Sequence, residues 1–126
     1  MNSVVYDAGA LIAADRSDRR RWAEHRVLLE AGLVPEVPAP VVAQVSRSPK
    51  RAELRRFLRG CEVVPMDGEM AHAAGALLGK ARAKDVVDAS VAVLAIRRKA
   101  DVVSDDAGDL RRLFSAARAK IRIIGV

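Results

Sequence analysis

The chain has 126 residues, 51% of them hydrophobic and only 3% aromatic, and carries a formal net charge of +6. This length suits one domain over residues 1–126 with a single core built from Val, Leu, Ala and Ile, and the apolar content argues against disorder. The apolar stretches are far shorter than the ~20 residues of a membrane span, and the first residues lack a signal peptide's basic opening, so a cytoplasmic protein is expected.

Valines at 3–6 predict a first strand, which runs directly into Asp7. Apolar residues at helical spacing follow over 22–31, and a weaker strand is expected at 33–37. Pro35, Pro38, Pro40 and Pro49 punctuate this region, because proline disfavours helix in the residue before it. Helical patterns return at 41–45 and 52–58, then a strand at 61–65 and helices at 70–81 and 86–98. A strand at 101–104, a helix at 110–117 and a strand at 122–125 complete the chain. Strand alternating with helix implies an α/β fold: a three-layer α/β/α sandwich around a mostly parallel sheet of four or five strands.

In open parallel sheets the functional crevice lies at the carboxyl ends of the strands. Asp7 directly follows the first strand and Asp105 the strand at 101–104, so the two would be close if those strands are neighbours. Asp85 and Asp88 stand at i, i+3 at the start of the helix at 86–98, on one face, where the helix dipole favours negative charge. Capping alone accounts for some of these acids: Asp85 reads equally as an N-cap, Asp106 as the cap of the last helix, and Asp109 as a first-turn charge. It does not readily account for two strand-end carboxylates together with the Asp85/Asp88 pair. Several carboxylates converging on one spot call for a hard divalent cation with oxygen ligands, Mg²⁺ or Mn²⁺. The chemistry such a site suits is phosphodiester hydrolysis.

With these residues in place, the chain resembles a PIN-domain ribonuclease of the VapC type, the toxin of a type II toxin–antitoxin pair. The resemblance runs through VVYDAGALIAA, VPAPVVAQVSR, KDVVDASVAVLA and ADVVSDDAGDLRRL, in that order. It implies Mg²⁺- or Mn²⁺-dependent cleavage of RNA, neutralisation by a cognate antitoxin, and a homodimer. Asp7, Asp88 and Asp105 match the core metal-site acids, Asp85 and Asp109 match accessory acids, and Ser104 matches a small hydroxyl residue that orients the last acid or a bound water. The chain departs from the pattern at Gln44, where many relatives carry a glutamate; glutamine offers a carbonyl oxygen but no charge. That departure leaves open a second reading, a catalytically weak module that binds RNA or an antitoxin. A flavodoxin-like receiver also places acids at strand ends, but the net charge and the helix after Asp85 fit it poorly.

About half of the Lys and Arg lie in residues 16–26 and 47–59, a footprint expected to position a nucleic-acid backbone. His25 and His72 have no partner at metal-ligand spacing, and GALLGK lacks the glycine spacing and hydroxyl of a phosphate loop. Cys61 and Trp22 read as packing residues.

Overall fold

The computed structural model describes residues 2–126. Five strands form one sheet in the order β3-β2-β1-β4-β5, with β1 at Val4–Tyr6, β2 at Glu36–Pro38, β3 at Glu62–Val64, β4 at Asp101–Val103 and β5 at Ile123–Ile124. Every pairing is parallel. β1 and β4 are neighbours, with Tyr6 opposite Val103, so the residues that leave their carboxyl ends emerge side by side. The chain order reverses across this pair, which makes it the switch point of the sheet.

Among the described residues seven helices connect the strands: α1 (Ala8–Asp15), α2 (Arg19–Glu30), α3 (Ala39–Val45), α4 (Ala52–Arg59), α5 (Gly68–Ala81), α6 (Val86–Arg98) and α7 (Ala107–Ala116). α1 packs on α2, α3 and α4, whereas α6 packs on α5 and α7 and lies against β1, β2 and β4. Ala89 through Ala95 of α6 are all buried, because this helix has the sheet on one side and other helices on the rest. The expected weak strand begins later, at Glu36, and includes Pro38, which is tolerated in a strand of three residues. α1 was not among the expected helices: AGALIAAD is apolar almost throughout and shows no polar face, yet Asp7 caps its start.

Three of the four aromatic side chains, Tyr6, Trp22 and Phe57, gather in one place with His25. Tyr6 stacks on Phe57 at 5.2 Å between centroids, His25 lies 4.0 Å from Phe57, and Trp22 meets Phe57 edge-on at 5.0 Å. His25 Nδ1 sits 2.9 Å from the Tyr6 hydroxyl, so each satisfies the other in the interior. Burial, and secondarily the Arg21 charge, lowers the His25 pKa to about 4, so the ring is neutral. Gly60 makes this cluster possible, since a Cβ there would stand 2.8 Å from His25 Nε2. The Trp22 indole donates to the Ala14 carbonyl at 3.0 Å, a packing role. Half-buried Cys61 has its thiol pushed up to about 12 by burial, as expected of an inert packing residue.

Candidate active site

Asp7 leaves β1 3% exposed and turns the chain into α1. Its Oδ1 accepts from the Ala8 amide at 2.8 Å, and its Oδ2 accepts from the Ser104 hydroxyl at 2.6 Å. The same Ser104 oxygen accepts from the Asp106 amide at 2.9 Å. One hydroxyl therefore ties the end of β1 to the turn after β4, and the Asp7 amide donates to Val103 O at 3.0 Å beside it.

Across this junction stands the start of α6. Asp85 is its N-cap and accepts from the Asp88 amide at 3.0 Å. Asp88, one turn in, is 8% exposed. Its pKa rises from 3.8 to about 7, first through burial and then through the charges of Asp85, Asp7, Asp106 and Asp109. Those four carboxylates therefore act electrostatically on one group. An oxygen from each of Asp88, Asp106 and Asp109 lies within 4.8 Å of the other two. Asp106 is also held above the usual carboxylate range, by burial and by Asp109. Among the described residues, none of these acids forms an ion pair with a Lys or Arg.

The carboxylates that lie together are not the full set expected from the sequence. Asp106 occupies the cap position of α7 but its side chain makes no capping hydrogen bond; it faces Asp88 and Asp109 instead. Asp105 is exposed and lies outside that trio, its carboxylate held over Gly9, where a Cβ would be 2.6 Å from Asp105 Cγ. Sequence reasoning assigned Asp106 no chemistry. The available signal was spacing: Asp106 and Asp109 repeat the i, i+3 pairing of Asp85 and Asp88 at a helix start. Gln44, exposed on α3, lines a separate cavity of about 440 Å³ with Ala8, Asp15, Arg16, Arg47 and Arg51. Among the described residues, four of the eleven cations expected to face a ligand are in ion pairs within the protein. Arg21 is buried and paired with Glu24, Arg20 also meets Glu24, Arg56 meets Glu53, and Arg51 reaches Asp15.

Residues 4–113 match the family model described as the PIN domain. The chain belongs to the PIN domain family. No curated protein matches its sequence. Among solved structures, this PIN domain is similar to VapBC2 from Rickettsia felis, bound to a promoter DNA fragment, at a TM-score of 0.74 and 16% identity over 98% of both chains. It is also similar to a toxin–antitoxin complex from Klebsiella pneumoniae (TM-score 0.64, 19% identity, 85% of this chain and 89% of that one). A third likeness is to FitAB bound to the IR36 DNA fragment, at a TM-score of 0.62 and 14% identity over 97% and 94% of the two chains. At these identities the likeness establishes that the PIN fold is shared.

Proposed function

We propose that the protein is a divalent-metal-dependent endoribonuclease, the toxin of a toxin–antitoxin pair, that hydrolyses RNA phosphodiester bonds and so arrests translation and growth. The observation that carries this reading is the set of unpaired carboxylates, Asp7, Asp85, Asp88, Asp106 and Asp109, converging on the switch point of the sheet, with Asp88 raised to about 7. Buried negative charge left without a cationic side chain is costly, and hard oxygen donors fit Mg²⁺ or Mn²⁺. Asp88, Asp106 and Asp109 would hold the ion, with Asp7 and Asp85 completing its surroundings. A cation held there would supply charge neutralisation and would acidify water for attack on phosphorus at neutral pH. Ser104 fixes the Asp7 carboxylate and the backbone that carries Asp106, so the acids are positioned before any ligand arrives. Asp105, on the Gly9 side, stands next to this group as an outer acid.

The site does not lean on position 44, since Asp106 and Asp109 provide charge that Gln44 lacks; this favours the enzyme over the binding module. An antitoxin partner is proposed from the toxin–antitoxin complexes that share the fold. Inducing the protein in a bacterial host tests the reading: growth should arrest, and Asp7→Asn should relieve the arrest at equal expression. Arrest by the variant at full strength would exclude Asp7 from the chemistry.

A further inference from the structure

A cavity of about 290 Å³ opens beside the acids, and its lining includes Asp85, Asp88 and Asp109 together with Arg82, Lys84 and Arg112. The three cations come from outside the Arg-rich segments that dominate the sequence. All three are exposed. Among the described residues none of them forms an ion pair, although three carboxylates line the same cavity. Arg112 stands one turn after Asp109 on α7, yet its Nη2 donates to the Arg82 carbonyl at 3.1 Å instead of to a carboxylate. That bond holds the guanidinium at the wall, and among the described residues its other N–H groups have no hydrogen-bond partner.

Acids that call for a metal ion and unpaired cations in one cavity suit a ligand that brings its own anion to the metal. We propose that Arg112, supported by Arg82 and Lys84, is the phosphate clamp of this site, gripping the RNA backbone at the edge of the acid cluster. This rests on the nuclease reading and names the residues that position its substrate. Arg112 is a positioning residue: a planar guanidinium with free donors takes a phosphate in two parallel hydrogen bonds. Lys84, immediately before the N-cap of α6, adds a point charge, and Arg82 both presents the carbonyl and faces the same cavity.

The test measures binding without cleavage. A fluorescein-labelled single-stranded oligoribonucleotide of mixed sequence is titrated with the protein in EDTA, by anisotropy, at several salt concentrations. Each backbone phosphate contact adds about 0.7 to the slope of log K against log salt for a single strand. Arg112→Gln should lower the slope by about 0.7 and weaken binding roughly fivefold to tenfold at ~0.1 M salt; the triple variant with Arg82→Gln and Lys84→Gln should lower it by about 2. Arg111→Gln, which removes the same charge from an exposed neighbour outside the cavity, should leave the slope unchanged. Calorimetric Mn²⁺ affinity should stay the same or tighten in Arg112→Gln, because a cation leaves the neighbourhood of the acids. In the active protein the loss should fall on KM more than on kcat. An unchanged slope in Arg112→Gln, or an equal loss in Arg111→Gln, would overturn the clamp while the nuclease reading stands. Wild type that binds neither the oligonucleotide nor Mn²⁺ would overturn both.

Discussion

Replacing Asp88 by asparagine should make the metal-free protein more stable and remove its response to divalent cations. Folding raises the pKa of this carboxyl from 3.8 to about 7, so between those values the native chain holds a proton that the unfolded chain has released. Stability from this group is therefore full below the lower value and is lost as pH rises through the upper one. The gap corresponds to about 4 kcal/mol once the pH is well above 7. Asp85, Asp106 and Asp109 are exposed or half-buried and water screens part of their repulsion, so we expect asparagine to recover about half, roughly 2 kcal/mol. For a domain of this size that is on the order of 8 °C in Tm at pH 8. Below pH 5 the wild-type group is protonated and the difference should shrink. Saturating Mn²⁺ at a hundredfold excess over Kd should stabilise the wild type by about 2.7 kcal/mol and leave Asp88→Asn unmoved. Differential scanning fluorimetry at pH 5 and pH 8, with and without Mn²⁺, reads all four values. A variant less stable than wild type at pH 8, or one that gains as much from Mn²⁺, would refute the electrostatic account.

Three further outcomes follow from the same geometry. Ser104→Ala removes the donor to Asp7 and the acceptor for the Asp106 amide, so it should cost roughly 1–3 kcal/mol in urea denaturation and weaken Mn²⁺ binding without touching a ligand. Asp106→Asn should reduce calorimetric Mn²⁺ affinity at least tenfold and Asp105→Asn much less, because the Asp106 oxygen lies with those of Asp88 and Asp109. His25 acts in the opposite sense to Asp88. Its native pKa of about 4 lies below its ordinary 6.5, so its contribution is present above that ordinary value and lost as pH falls toward the native one, by on the order of 3 kcal/mol. Urea midpoints at pH 7 and pH 4.5 should therefore converge between wild type and His25→Asn as the pH falls.

Four of the strands were legible because each is a short Val- or Ile-rich run bounded by turn residues, whereas β2, with one valine in Glu36–Pro38, was only weakly marked; the parallel sheet followed from their alternation with helices. α1 was not, because AGALIAAD packs on several elements at once and has no polar face to mark a period. Asp7, Asp85 and Asp88 could be placed from the strand end and the i, i+3 spacing. The adjacent pair Asp105 and Asp106 could not be separated from sequence: β4 ends at Val103, and the bond from the Asp106 amide to Ser104 bends the chain there. A one-residue difference after that bend sends one carboxylate over Gly9 and the other toward Asp88. The cavity cations were hidden for a similar reason, since Arg82, Lys84 and Arg112 meet only when α5, α6 and α7 pack together.

The central claim is that these carboxylates drive metal-dependent hydrolysis of RNA, and cleavage of a panel of structured RNAs by purified protein tests it most directly. Asparagine at position 7 keeps an acceptor for the Ala8 amide and so should preserve the fold. The account predicts discrete cuts with Mn²⁺ or Mg²⁺, none in EDTA, and none with folded Asp7→Asn. Cuts that persist in EDTA, or that the variant makes as fast as wild type, would contradict it.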